Sequence, residues 1–514
     1  MLDRRLVPDA QERITPGEAV AGMILHGLGF ASRPLALTPQ FFANKPLALL
    51  FRHGIDAERF NRCKLGRTLD DASAYGCDLL FQELALALWA HEGIDRRFNH
   101  LDTTSFALTG AYVPESDEHA MRITHGSSKD HRPDLKQAVL ERMGSQDGGV
   151  PFVSKSWDGN ASDTQVFQQR AEALRRACTD TPTPRSLVAD AKLSWEDKAV
   201  HLATLGLITR IPATLKLVSQ GIGQALQWDT WQTCDDHTRY QPLALGHYGM
   251  AQRWLVVYSQ AACERAEAAL KQATQREDAA IKKQRFHLPA QRFCAPEAAH
   301  DALAALAKRW TYHAMASSHL TEHKHYAGKG RPTPRTPLQA ITWPIQVHVH
   351  ADDTTLAQAK HAHACYILGT NIDSSALGDT EVITAYKGQS HVEGGGRFLK
   401  DPLFFVSSLF VKKPNRMEGL LMVMTLALLV YSMAQRRLRA QLATHQEPVP
   451  NPINHPTTSP TLRWVCQLLE GIHRVRLTLQ GQVHKLIAGL HDVQSKILRL
   501  FGNEVCRLYQ ISTG

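Results

Sequence analysis

From Arg97 onward the apolar pattern of the chain changes from helical to alternating, and the order of the segments that follow leaves few folds open. FNHLDTTSFAL reads as a strand, and KQAVLERM and VPFVSKSW, separated by the turn SQDGG, read as two more. SDTQVFQQRAEALRRA is then a helix with Ser162 as its N-cap candidate, and RSLVAD is a short apolar strand ending at Asp190. SWEDKAVHLATLG is a helix capped by Ser194, and GLITRIP is a further strand. Hairpin-linked strands followed by alternating strands and helices describe an α/β chain with a mixed sheet covered by helices on both faces.

The flanking segments fix the organisation. Residues 1–98 have apolar residues at helical spacing, in AGMILHGLGF and LLFQELALALWAHEG, and read as a helical N-terminal domain. Residues 99–225 carry the first part of the sheet domain, and residues 226–363 read as an inserted α+β domain. In the insert, TRYQPLALGHYGMAQRWLVVYSQ is a hairpin and AACERAEAALKQATQREDAAIKKQ a long polar helix. Residues 364–440 return to the sheet domain at ACYILGTN and continue into a helix for which Asp379 is the N-cap candidate. Residues 441–460 include the Pro-rich run HQEPVPNPINHPTTSP and read as a linker, and 461–514 as a basic helical segment. There is no internal repeat.

Gly419 to Ala434 is continuously apolar but short for a membrane span, so a buried core helix is expected there and no membrane partner. The charged N-terminus lacks the apolar core of an export signal, and the nine cysteines are scattered singly. Both point to a reducing, cytoplasmic setting and against a disulfide framework or a cysteine zinc site. The net charge of +9 is uneven: Lys and Arg number 12 against 12 Asp and Glu in residues 1–100, but 13 against 6 in residues 401–514. A polyanionic partner is favoured by that asymmetry, and a solvated basic face is the alternative.

Three acids carry the chemistry. Asp102 sits in the middle of a strand otherwise suited to burial, where an uncompensated carboxylate is costly. Asp190 ends the fourth strand, and ligand sites in open α/β sheets form beyond the carboxyl ends of strands. Glu393 lies in YKGQSHVEGGGRFLK, where Tyr386, Gln389, Glu393 and Lys400 fall at steps of three, four and seven residues and would share one face of a helix. Strand-edge acid, helix N-cap and surface helix are the plain readings of the three singly. Convergence of all three on one point favours divalent cations with oxygen ligands, two Mg²⁺ or Mn²⁺ ions, which suit phosphodiester chemistry.

At these residues the chain resembles the DDE transposases of bacterial insertion sequences, in the group marked by a Tyr-Arg-Glu-Lys signature. The resemblance runs from about Gly17 to Arg439 through HLDTTSF, HGSSKDHRPDLKQ, GNASD, LVADAKLS, GLITRIP, YILGTNID, YKGQSHVEGGGRFLK and MTLALLVYSMAQRRLR. It implies a ribonuclease H-like core interrupted by an inserted domain, with Asp102, Asp190 and Glu393 as catalytic metal ligands. It also implies Tyr386 and Lys400 on phosphates, double-stranded DNA as partner (terminal inverted repeats and target), a homodimer on DNA, and cut-and-paste transposition in the bacterial cytoplasm, associated with the nucleoid. Gln389 stands where the signature has arginine, replacing a phosphate clamp by a neutral hydrogen-bonding group. Gly394, Gly395 and Gly396 either fray the helix and displace Lys400 or let a DNA backbone approach. These departures leave room for a catalytically inactive DNA-binding descendant, and a nuclease without strand transfer fits the same acids.

Further DNA-contact candidates are Lys129, His131 and Arg132 in SKDHRPD, Arg397, and Arg331 in the loop AGKGRPTPRTP, where Gly-Arg-Pro resembles a minor-groove hook. An exposed turn with local salt bridges is the plain reading of SKDHRPD, and a flexible loop that of the Gly-Arg-Pro run. His348 and His350 with His361 and His363 could form a zinc set, and Trp310 and Trp343 could stack on an unpaired base; a half-solvated strand face and core packing are the simpler accounts.

Overall fold

The computed structural model describes residues 1–31, 33–112, 121–178, 186–189, 205–247, 250–288, 293–328, 331–405 and 411–511. Five helices open the chain: α1 (Pro16–Leu28), α2 (Thr38–Phe42), α3 (Leu47–Leu50), α4 (Arg62–Tyr75) and α5 (Cys77–Glu92). A capping box starts α1: Glu18 N donates to Thr15 Oγ1 (3.0 Å) and Thr15 N to Glu18 Oε2 (2.9 Å). Strands β1 (Phe98–Leu108), β2 (Lys136–Ser145) and β3 (Pro151–Trp157) follow, then α6 (Asp163–Cys178), β4 (Ser186–Ala189) and β5 (Gly206–Arg210). The expected helix with Ser194, and Asp190 itself, lie outside the described residues.

Next come α7 (Lys216–Trp228), β6 (Gln232–Asp235), β7 (Thr238–His247), β8 (Met250–Ser259), α8 (Gln260–His287) and α9 (Pro296–Ala307). Then follow β9 (His313–Leu320), β10 (His323–Tyr326), β11 (Leu338–Thr342), β12 (Ile345–Ala351), α10 (Asp353–Ala364) and β13 (Cys365–Thr370). The chain closes with α11 (Asp379–Lys387), α12 (Gln389–Leu399), α13 (Pro402–Phe405), α14 (Pro414–His445), β14 (Val449–Pro450), β15 (Pro456–Thr457), α15 (Leu462–Leu468), β16 (His473–Leu479), β17 (Gln482–Ala488), α16 (Asp492–Leu500) and α17 (Asn503–Leu508).

Two compact units result: one of residues 1–209, 248–250 and 381–514, the other of 210–247 and 251–380. In the first, the strand order is β3-β2-β1-β4-β5, antiparallel from β3 to β1 and parallel from β1 to β5. One core holds it together, from Met23 and Phe60 through Leu101, Leu140 and Val166 to Ile497. The helices of residues 1–98 belong to that core, because α14 runs among them with every residue from Gly419 to Leu429 buried. Close approach requires a glycine on α14: a Cβ on Gly419 would meet Leu69 O of α4 at 3.0 Å. Arg416 of α14 then binds Asp70 of α4 with Nε (2.8 Å) and Nη2 (2.6 Å). Among the described residues α14 alone is long and apolar enough to cross a membrane.

The second unit pairs β13-β8-β7-β6 over a core of Val218, Trp254, Val256 and Ile367, and has a smaller core of Leu303, Ile345 and Val347. It begins at 210 and ends at 380 rather than at 226 and 363, since Ile211, α7 and β13 pack in its core. Asp379 is the first residue of α11, and its carboxylate accepts from the Arg253 guanidinium.

Two further expectations are corrected. Residues 461–514 are not a helical segment throughout, for β16 and β17 form a hairpin across the turn Gln480–Gly481, both at positive φ (48° and 80°). The apolar helix does not stop at Ala434 but runs to His445, its later turns anchored by buried Leu438 and Leu442.

Candidate functional site

Asp102 stands at the centre of β1 and is the one residue between Phe98 and Phe106 that is not fully buried. Its cross-strand partner is Arg142 on β2. Arg142 is only 1% exposed and donates Nη2 to Asp102 Oδ2 at 2.6 Å, with Nη1 donating to Val392 O of α12 at 3.3 Å. Burial pulls the guanidinium below its ordinary value while the Asp102 charge opposes that. The carboxylate is thus held in one orientation by a charge-assisted bond. On the other side β1 runs parallel to β4, with Leu101 beside Ala189, the residues that precede Asp102 and Asp190 in the sequence.

The neighbour of Arg142 on β2 is Glu141, wholly buried and turned to the opposite face. It accepts from Arg170 of α6 and from Trp157 Nε1 at 2.8 Å. Adjacent opposite charges on one strand therefore fasten helices to opposite faces of the sheet. Sequence reasoning passed over both, although an interior Glu-Arg pair in the otherwise apolar KQAVLERM was the available signal.

Helix α12 lies over Asp102, and its glycines explain how. A Cβ on Gly396 would fall 2.8 Å from Arg142 Nη2, 3.0 Å from Thr104 Oγ1 and 3.4 Å from Asp102 Oδ2; one on Gly395 would fall 2.8 Å from Arg142 Nη1. Gly394 meets nothing within 4 Å. The helix continues through all three without fraying, and Gly395 and Gly396 admit the guanidinium.

The single helical stripe does not form. The helix is divided at Gly388, where a Cβ would lie 3.0 Å from both Gln146 Cγ and His100 Nε2. Gln389, expected on phosphate, is 4% exposed, donating Nε2 to Leu101 O (3.1 Å) while its Oε1 meets His100 Nδ1 (3.0 Å). Its amide ties α12 to β1 and is withdrawn from any phosphate. His100 is held down at about 4 by burial, which keeps the ring neutral. Tyr386 is half-buried on α11, whereas Glu393 and Arg397 are exposed on α12.

Lys400 follows α12 and donates Nζ to both Asp130 oxygens at 2.7 and 2.8 Å. It is thereby joined to the SKDHRPD loop. Lys129 of that loop turns inward, donating to Thr103 O and Oγ1 at 2.6 Å each and lying 3.1 Å from Asp163 at the start of α6. Arg132 forms a local pair with Asp134 (2.9 and 2.8 Å), and His131 is exposed with φ 55°. Lys129 is thus engaged within the chain, while the Arg132–Asp134 pair lies at the surface. The loop also packs on GNASD: Gln137 Nε2 donates to Gly159 O at 2.7 Å, and no Cβ fits at Gly126 or Gly159. Thr103, Asp130, Arg142 and Asp163 are the members of this cluster that sequence reading did not single out.

In the second unit Arg331 is exposed, and Lys329 and Gly330 lie outside the described residues. His348, His350, His361 and His363 are exposed, and no group of three or more His, Cys, Asp or Glu able to hold a metal occurs among the described residues. Trp310 packs on the smaller core with Nε1 3.4 Å from Gln284, and Trp343 is half-buried. The eight cysteines whose side chains are described are free.

Residues 1–86 match a domain of unknown function, DUF4277. No curated protein matches the chain. Among solved structures, one resembling it is the cryo-EM structure of a piggyBac transposase synaptic complex with hairpin DNA, at 7% identity and a TM-score of 0.30, with 84% of this chain and 68% of that chain covered.

Proposed function

We propose that the chain is a DNA transposase of the DDE type, cutting and rejoining DNA from a ribonuclease H-like core as a homodimer on double-stranded DNA in the bacterial cytoplasm. The observation that carries this reading is Asp102: a carboxylate oriented by a buried arginine at the one opening in a buried strand, beneath the helix that bears Glu393. The strand order β3-β2-β1-β4-β5 supports the core assignment.

An oriented carboxylate whose supporting hydrogen bond is already in place is the donor type that Mg²⁺ or Mn²⁺ takes. Asp102, Asp190 and Glu393 would hold the ions, which supply charge neutralisation at the phosphate and an activated oxygen. In this reading Arg142 keeps Asp102 in its ligating orientation, Tyr386 and Arg397 contact the DNA backbone, and Lys400 exchanges Asp130 for a phosphate. Both grounds for an inactive descendant have packing explanations, since Gln389 serves the β1–α12 contact and two of the glycines serve Arg142.

The test is Mg²⁺- or Mn²⁺-dependent nicking of DNA carrying the inverted repeats that flank the gene, followed by joining of the cut ends to target DNA. Glu393→Gln is the cleaner variant, because that side chain is exposed and the amide keeps its size and shape. Nicking reduced to background in Glu393→Gln and in Asp102→Asn is expected; undiminished nicking in either sinks the proposal. Nicking without joining would point to a nuclease instead.

A further inference from the structure

The hairpin β16–β17 pairs with no other strand among the described residues, and nearly all its side chains are exposed. An isolated two-stranded ribbon is marginal in water, so one held open from a fixed base calls for a partner. The base is fixed. Gln494 of α16, itself buried, donates Nε2 to Leu468 O (3.0 Å) and Glu470 O (3.1 Å), and Gly489 crosses so near Gly471 that a Cβ there would meet Gly471 O at 2.2 Å.

The register divides the ribbon into two faces. Arg476 pairs with Lys485, Arg474 with Ile487 and Thr478 with Val483, so these six residues share one face, with the cations at its centre and base. Val475 pairs with Leu486 and Leu477 with His484, and these lie on the other, together with Leu479. No acid occurs between Glu470 and Asp492, and none of the three cations is in an ion pair among the described residues. Like charges placed directly across a ladder, as Arg476 and Lys485 are, destabilise the free hairpin. An anionic partner turns that cost into attraction.

We infer that the β16–β17 ribbon is a DNA-contacting arm whose cationic face, Arg474, Arg476 and Lys485, binds the duplex backbone along the major groove. A two-stranded ribbon fits that groove, about 12 Å wide. The inference rests on the DNA-acting reading above and adds to it a surface remote in sequence from the acids.

The experiment uses the full chain and a short fluorescein-labelled duplex of arbitrary sequence, with affinity measured by anisotropy over a salt series. Arg474→Ala/Arg476→Ala/Lys485→Ala is expected to weaken binding at least about tenfold and to lower the slope of log affinity against log salt by about 2–3, some 0.9 for each phosphate no longer neutralised. Arg474→Lys/Arg476→Lys keeps the charge and should keep the slope; loss of the slope there would make the role structural and overturn the inference. Wild-type affinity and slope in the triple alanine variant overturn it while leaving the DNA-acting reading intact, whereas no duplex binding by the unaltered chain overturns both. Leu477→Ser/Leu486→Ser should leave the slope unchanged. Should that variant dissociate a larger species while the alanine variant binds DNA normally, the ribbon is a contact between copies and the inference fails.

Discussion

At the scale of single residues, three consecutive glycines separate into two kinds. Gly394 faces open space, so Gly394→Ala should stabilise the protein by about 0.5–1 kcal/mol through helix propensity. Gly396→Ala sets a methyl against a buried guanidinium, and overpacking there should cost about 1–3 kcal/mol despite the same gain. Denaturant midpoints of the two variants give the comparison, and equal shifts would contradict the packing account. Asp102 and Arg142 are also unequal partners: the arginine is buried and the aspartate is about a quarter exposed. Removing the aspartate strands a buried charge, so Asp102→Ala should cost on the order of 3 kcal/mol and Arg142→Met less, measurable by the same unfolding experiment.

At the scale of elements, α14 carries an acid into the helical packing. Burial raises the Glu418 carboxyl to about 7, the Asp78 charge at the start of α5 adds to this, and Lys155 opposes it. The folded state therefore holds this proton more tightly than the unfolded one, and its contribution to stability is lost as pH rises from about 4.5 through 7. Glu418→Gln should remove that loss, gaining on the order of 2–3 kcal/mol at pH 8 and little at pH 4. Thermal melts across that range decide it. Elements with a clear period were legible in the sequence: β1, the β7–β8 hairpin and α8 stand where the pattern put them. The β16–β17 hairpin was not, because its alternation of leucines with arginines also satisfies a helical count over short windows, and the Gln480–Gly481 turn was the discriminating mark. The division at Gly388 was illegible for a different reason: it answers to His100 and Gln146, more than 240 residues away in the chain.

At the scale of the molecule, the stretch matched as a domain of unknown function does not stand apart from the rest of its unit. Met23, Phe60, Leu65, Leu69, Leu80 and Phe81 share one core with α14 and with β1 to β3. A chain of residues 99–514 should accordingly lose cooperative unfolding, and a sharp calorimetric transition in that fragment would show the N-terminal helices to be dispensable. The place of β1 beside β4 was legible from element order, whereas the cover over Asp102 depended on long-range partners such as Arg142, which no local pattern ties to α12.

That closure has a consequence in time. The bond joining His100 to Gln389 spans 289 residues, so a ribosome adding ~5–20 residues per second completes β1 roughly 15–60 s before the segment that covers it. During that interval Asp102 and Arg142 can already pair while the helix bearing Glu393 does not yet exist. A nascent or prematurely released chain therefore presents the Asp102–Arg142 pair without α12, and that cover is completed only once nearly four-fifths of the protein has been made.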